Sequence, residues 1–145
     1  MTNIFEPVKD NYENLNDEEI SQLETILNCR FPEDYRDFLS QYGRCMFSGE
    51  AIVKDEGGNE LEVFTMFGGK GEAGNIKKDS DLHPEYTQDR LIPIADDMFD
   101  NRFVLHVETG KVGFIDYSSG AATYTHVAKS FEEFVKKIEV VPDEE

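Results

Sequence analysis

Basic residues are scarce in this chain of 145 amino acids. Lysine and arginine number 14 against 31 aspartate and glutamate residues, which gives a formal net charge of −17. A surface of this sign repels phosphate backbones and anionic membranes, and it attracts and steers basic partners. The composition therefore argues against a nucleic-acid or membrane partner and favours a basic protein partner.

Cysteines and long hydrophobic runs are also few. Cys29 and Cys45 form no Cys-x-x-Cys pair and cannot build a disulfide framework, so we expect two reduced thiols. The most apolar run, residues 91–95, is too short to span a bilayer. Residues 1–10 lack the basic and apolar regions of a signal peptide. These absences predict a cytoplasmic protein.

The hydrophobic content predicts a folded chain. Hydrophobic residues make up 39% and aromatic residues 12%, which is more than a disordered acidic chain carries. A chain of this length can bury about 68–70% of the surface that it exposes when unfolded. We predict one domain over residues 1–145, with a polar lead-in at 1–15 and an acidic tail at 140–145.

Three amphipathic helices are predicted from apolar residues at helical spacing. The first is capped by Asn16, and the second begins at Pro32 and ends at Gly43 in a left-handed cap. A connection of three residues between them predicts a helical hairpin. The third helix begins at Ser130 and is expected to stop at Pro142.

Between these helices the apolar period changes from helical to two. Strands are predicted at residues 51–53, 61–64, 102–107, 111–117 and 123–127, with turns at 55–59 and 108–110. Residues 68–90 are polar and glycine-rich, and we expect a mobile loop with one helical turn there. The predicted fold class is α+β, an antiparallel β-sheet flanked by an N-terminal helical hairpin and a C-terminal helix.

No motif in the chain predicts an active site. Residues 69–74 match G-x-G-x-x-G, but the parallel strand-helix-strand unit that a dinucleotide site needs is not predicted around them. The acids of residues 96–101 are interrupted by Met98 and Phe99, where a calcium loop would need oxygen ligands. None of the three histidines has a partner carboxylate at a defined spacing. We therefore predict a non-enzyme without metal or cofactor; a small enzyme with residues 68–90 as a lid is the alternative.

Four segments in order, spanning residues 16–139, resemble the SUKH superfamily, the SMI/KNR-type domain. After an amphipathic helix, they are Phe31-Pro32-Glu33-Asp34-Tyr35-Arg36-Asp37-Phe38-Leu39 with Tyr42-Gly43, then Ile92-Pro93-Ile94-Ala95-Asp96-Asp97, Gly110-Lys111-Val112-Gly113-Phe114-Ile115-Asp116 and Val127-Ala128-Lys129-Ser130-Phe131-Glu132-Glu133-Phe134. The chain departs from the family in having no tryptophan and in placing Met98-Phe99-Asp100 before Asn101.

The resemblance implies a binding protein rather than a catalyst. Members are typically bacterial immunity proteins that block a cognate toxin domain, so the expected partner is a toxin, basic and possibly a nuclease. The alternative is a regulatory or scaffold module that binds an endogenous protein, as in the fungal relatives. Acids in turns next to strands are the predicted partner-binding residues: Asp55, Glu56, Asp96, Asp97 and Asp100.

Overall fold

The computed structural model describes residues 3–142 and shows an α+β fold. This part of the chain forms five helices and ten strands. The helices are α1 (Asp17–Leu27), α2 (Glu33–Gln41), α3 (Ile76–Leu82), α4 (Pro84–Gln88) and α5 (Phe131–Lys137). The strands are β1 (Phe5–Pro7), β2 (Cys45–Phe47), β3 (Gly49–Lys54), β4 (Glu60–Val63), β5 (Thr65–Met66), β6 (Leu91–Asp96), β7 (Arg102–His106), β8 (Val112–Asp116), β9 (Thr123–Ala128) and β10 (Glu139–Pro142).

The strands form two antiparallel sheets rather than one. The large sheet has the order β1-β2-β5-β6-β7-β8-β9, and the small sheet has the order β10-β3-β4. All five predicted strands are confirmed, as are the β3–β4 and β7–β8 hairpins. The predicted antiparallel sheet is confirmed, and a second, smaller sheet accompanies it, in which β3 pairs with β10 from the end of the chain.

The N-terminal helical hairpin is confirmed, including its caps. The amide of Glu19 donates to Asn16 Oδ1 at 2.8 Å, and the amide of Asn16 donates to Glu19 Oε1 at 3.0 Å, which is a complete capping box. An ion pair between Glu24 of α1 and Arg36 of α2 joins the two helices. Gly43 follows α2 with φ +65°, the left-handed conformation predicted for it.

The hydrophobic core lies between the large sheet and helices α1, α2 and α5. Phe131 of α5 contacts Tyr35 and Phe38 of α2, with ring centroids 4.9 Å and 5.1 Å apart. Phe134 of α5 lies 5.3 Å from Phe103 of β7. The same core contains apolar side chains of β3 and β4, so both sheets and the three helices share one apolar interior.

Strands β1 and β10 lie near the two ends of the described part of the chain. Residues 5–7 of the expected lead-in pair with β2, and Leu15 is buried. The expected stop of the third helix at Pro142 is wrong, because α5 ends at Lys137 and residues 139–142 turn back to pair with β3. The rest of the expected acidic tail, residues 143–145, lies outside the described residues.

The expectation of a mobile loop at residues 68–90 is also wrong. Asn75 Oδ1 accepts the amide of Lys78 at 3.0 Å and thereby starts α3, and α4 follows with proline at its first position. Ile76 and Tyr86 are completely buried. Strands β5 and β6 on either side of the segment pair with each other antiparallel, whereas a dinucleotide-binding unit has parallel strands.

Candidate partner-binding surface

The acidic turn, residues 96–101, joins β6 to β7 and is held by two of its own carboxylates. Asp96 Oδ1 accepts the amide and the hydroxyl of Thr65 at 3.0 Å and 2.7 Å. Asp97 accepts the amides of Phe99 and Asn101 and the side-chain amide of Asn101, each at 2.9 Å. Asp97 therefore shapes the turn itself, and Asp96 ties it to β5.

The environment of Asp96 is only partly polar. Its burial raises the pKa of the Asp96 carboxyl, although the hydrogen bonds from Thr65 and the charge of Arg102 act in the opposite direction. The hydrogen bonds from Thr65 thus hold the Asp96 carboxylate against β5. A substitution of Asp96 would remove a negative charge and also the hydrogen bonds that attach the turn to β5.

The tip of the acidic turn presents apolar side chains to solvent. Met98 is 64% exposed and Phe99 is 82% exposed. Phe64, 44% exposed, lies next to the turn, since its amide donates to the Asp96 carbonyl at 2.8 Å. Asp100 adopts φ +66° and extends a carboxylate that is 88% exposed. Exposed aromatic and acidic groups therefore occur together at this end of the sheet.

A buried ion pair lies directly behind the acidic turn. The Arg102 guanidinium donates from Nε and Nη2 to both carboxylate oxygens of Asp79, at 3.0 Å and 3.1 Å. Its Nη1 donates to Asp100 at 2.8 Å. Burial lowers the pKa of Arg102, but the hydrogen bonds and charges of Asp79 and Asp100 outweigh it and raise the pKa. Arg102 thus connects α3 to the tip of the turn.

Arg102 and Asp79 were missed by the sequence reasoning, and so were Met98 and Phe99 as surface residues. The signal for the first pair was an arginine at the start of a predicted strand that is otherwise apolar. Such a charge needs a partner when it is buried. The signal for Met98 and Phe99 was their place between acids in a turn, where large apolar side chains have little core to enter.

Asp55 and Glu56 lie in a different turn, the β3–β4 hairpin of the small sheet. Asp55 is buried and accepts the backbone and side-chain amides of Asn59 at 2.9 Å and 3.1 Å. Glu56 has an exposed side chain, and its amide donates to the carbonyl of His126 in β9 at 3.0 Å. The five predicted residues are thus divided between two turns that belong to different sheets.

Asp55→Asn is expected to reduce the acid sensitivity of the fold. Burial raises the pKa of Asp55, but hydrogen bonds from Asn59, Gly57 and Gly58 outweigh it and leave the pKa below its ordinary value of 3.8. The carboxylate therefore stabilises the fold above that value, and this contribution is lost as the pH falls through the lowered pKa. Urea denaturation of both proteins between neutral and acidic pH should show a stability difference that shrinks below about pH 4. A difference independent of pH would contradict the assignment.

The two cysteines are free and unreactive in character. Burial raises the pKa of the Cys29 thiol to about 11, with Arg90 lowering it and Glu24 raising it further. Burial also raises the pKa of Cys45, which is fully covered by the core. Because the thiolate is the reactive form, neither group is prepared for nucleophilic chemistry at neutral pH.

The described part of the chain shows no metal-binding cluster and no membrane-spanning helix. Among residues 3–142, His, Cys, Asp and Glu side chains do not form a group of three or more that could hold a metal ion. Helices α1 to α5 are all too short or too polar to cross a membrane.

The chain is similar to proteins of a known family. The profile of the SMI1 / KNR4 family (SUKH-1) matches residues 14–137, which include all five helices and the acidic turn. The chain is also similar to the SPbeta prophage-derived uncharacterized protein YokK of Bacillus subtilis (strain 168). The two are 27% identical over 137 residues, which cover 81% of this chain and 71% of the relative.

Proposed function

Because the chain belongs to the SMI1 / KNR4 family (SUKH-1), we propose that it is an intracellular immunity protein that binds and neutralises a cognate toxin domain. The observation that carries the proposal is the family match over residues 14–137, since proteins of this family are commonly immunity proteins. They act by binding another protein rather than by catalysis.

The charge of the chain supports a basic partner. A net charge of −17 accelerates encounter with a basic protein and opposes binding to nucleic acid. A toxin domain that attacks nucleic acid needs a cationic surface for the phosphates. An acidic inhibitor can cover such a surface and exclude the substrate, so a nuclease toxin is the class that the charge favours most.

We propose that the acidic turn is the centre of the partner-binding surface, with Asp96, Asp97 and Asp100 as its acids. Exposed charges mainly set the association rate, whereas aromatic anchors that become buried carry most of the affinity. Met98 and Phe99 supply such anchors. Asp55 and Glu56 are proposed as a second, peripheral contact, in which Glu56 has the accessible carboxylate.

Co-expression with the toxic domain encoded beside the gene tests the proposal. We expect survival of the host and co-purification of a stable complex, with the toxin killing the host when it is expressed alone. Death despite expression of this chain, with no complex recovered, would contradict the proposal. It would favour the alternative of a regulatory or scaffold module that binds an endogenous protein.

Phe99→Ser is expected to weaken the complex without unfolding the protein. Loss of a buried aromatic anchor costs about 2 kcal/mol or more, mainly through faster dissociation. The Phe99 side chain is 82% exposed in the free protein, so the free energy of unfolding of the protein should change by no more than about 0.5 kcal/mol. Surface plasmon resonance with the purified toxin domain, together with thermal unfolding of the variant, measures both effects.

Leu82→Ser is the matched control, because Leu82 is 75% exposed but lies at the end of α3 rather than in the acidic turn. It should leave the dissociation rate nearly unchanged. Equal effects of the two substitutions would exclude the acidic turn as the centre of the interface. Charge reversal of Asp96 or Asp97 is less informative, since the Asp97 carboxylate holds the turn together and the Asp96 carboxylate ties it to Thr65 of β5.

A further inference from the structure

The face of the large sheet that is turned away from the main core is only partly covered. Tyr86 of α4 packs there against Val104 and Ile115. Beside this small cluster lies an open cavity of about 450 Å³. We call it the tyrosine groove, and the residues that line it include Tyr86, Tyr117, Tyr124, Glu85, Asp89 and His106.

Two tyrosines of the groove, Tyr86 and Tyr117, are held by contacts with each other and with His83. The hydroxyls of Tyr86 and Tyr117 are 2.6 Å apart and hydrogen-bonded, and the ring of His83 stacks on both tyrosines at 4.7 Å and 5.6 Å. Burial raises the pKa of Tyr86 and of Tyr117, so both phenols are neutral at physiological pH. These two rings form a rigid wall of the groove.

Tyr124 also lines the groove, and Gly113 of β8 leaves room for its ring. A Cβ atom on Gly113 would lie 2.2 Å from Cζ of the Tyr124 ring, so the ring lies directly over the backbone of β8. Tyr124 remains 52% exposed. An aromatic side chain held against the sheet with half of its surface open to solvent is available to a ligand that enters the groove.

The charge at the groove is negative. Glu85 and Asp89 line it from the α4 side, and its lining residues include no lysine or arginine. Glu85 contacts His83 at 3.2 Å but its side chain is still 52% exposed. Within residues 3–142, the Asp89 carboxylate takes part in none of the ion pairs, which total ten.

We propose that the tyrosine groove binds the guanidinium group of an arginine side chain on a protein partner. Aromatic faces attract cations through their quadrupole, and a planar guanidinium can stack on a tyrosine while its N–H groups pair with a carboxylate. An ammonium group lacks this planar fork, so arginine fits the groove better than lysine. The inference rests on the proposed function only for the identity of the protein that carries the arginine.

A titration with N-acetyl-arginine amide, followed by the backbone amide signals in NMR spectra, tests the groove without any toxin. N-acetyl-citrulline amide is the matched probe, because it has the same length and shape but no charge. We expect saturable shifts at Tyr117, Tyr124 and Asp89 with the arginine probe, and roughly tenfold weaker binding of the citrulline probe. The N-acetyl-lysine amide should also bind more weakly.

Substitutions locate the binding. Tyr124→Leu and Asp89→Asn should each weaken the arginine probe severalfold, whereas Tyr124→Phe, which keeps the ring, should bind it like the original chain. The inference is overturned if the arginine and citrulline probes bind equally, if lysine binds as well as arginine, if the shifts lie elsewhere, or if Tyr124→Leu has no effect. A negative result of the arginine titration can be distinguished from failure of the proposed function, because the co-expression assay measures survival without these probes.

Discussion

Arg102→Met is expected to lower the free energy of unfolding by about 3–5 kcal/mol. The Arg102 and Asp79 side chains are 10% and 9% exposed, so the substitution leaves the Asp79 carboxylate buried without its arginine, with only His83 Nε2 at 3.9 Å as a basic neighbour among residues 3–142. An uncompensated buried charge is among the most costly single changes in a folded protein. Urea denaturation followed by circular dichroism measures the loss. Hydrogen exchange should become faster in residues 76–88, which the ion pair attaches to the sheet.

The double substitution Asp79→Leu with Arg102→Met distinguishes an unpaired charge from a loss of packing. Replacing both members of a buried ion pair by apolar side chains is often nearly neutral. The double variant should therefore recover most of the stability that Arg102→Met loses. Asp100→Asn is a second control, because Asp100 is 88% exposed and pairs with the same guanidinium; it should cost about 1 kcal/mol or less. A double variant as unstable as Arg102→Met would contradict the explanation.

Gly43→Ala is expected to destabilise the protein by roughly 2–5 kcal/mol. A Cβ atom at this position would lie 2.2 Å from the carbonyl oxygen of Glu13. The segment around Glu13 has little freedom to move, because the Leu15 amide donates to the Leu39 carbonyl at 2.8 Å and Asn14 Nδ2 donates to the Ser40 carbonyl at 3.1 Å. The positive φ of +65° adds a cost of its own for any side chain.

Gly58→Ala separates these two causes. Gly58 also has a positive φ, +84°, but a Cβ atom there would have no atom within 4 Å. Only the conformational cost of about 1–2 kcal/mol should then appear. Thermal or urea denaturation of the two variants gives the difference, which measures the close approach at Gly43. Equal losses would show that the contact with Glu13 adjusts at little cost.

Local signals explain why so much of the fold could be predicted from the sequence. Asn16, Gly43 and Ser130 act through neighbours within a few residues, and the structure uses each of them at the helix end where it was expected. The β3–β4 and β7–β8 hairpins likewise depend on turn residues between adjacent strands. These features need no knowledge of distant parts of the chain.

Pairing over long sequence distances could not be predicted in the same way. Asp79 and Arg102 are 23 residues apart, and nothing in the local pattern around Asp79 indicates a buried carboxylate. The pairing of β10 with β3 spans most of the chain. Residues 68–90 look mobile when they are judged by glycine content and polarity, because the contacts that order them come from the sheet. The same reason hid the two roles of the acids in residues 96–101, of which some hold the turn and others face solvent.

The contact between Glu56 and His126 limits how a partner can bind. Strand β9 lies at one edge of the large sheet, and its His126 carbonyl already accepts the Glu56 amide from the small sheet. The opposite edge, β1, has only three residues, and one of them is Pro7, which has no N–H to donate. Neither edge offers a long free ladder to an incoming peptide strand. Strand addition at either edge of the large sheet is therefore disfavoured, and the small sheet offers only β10 and β4, with four residues each, as edges.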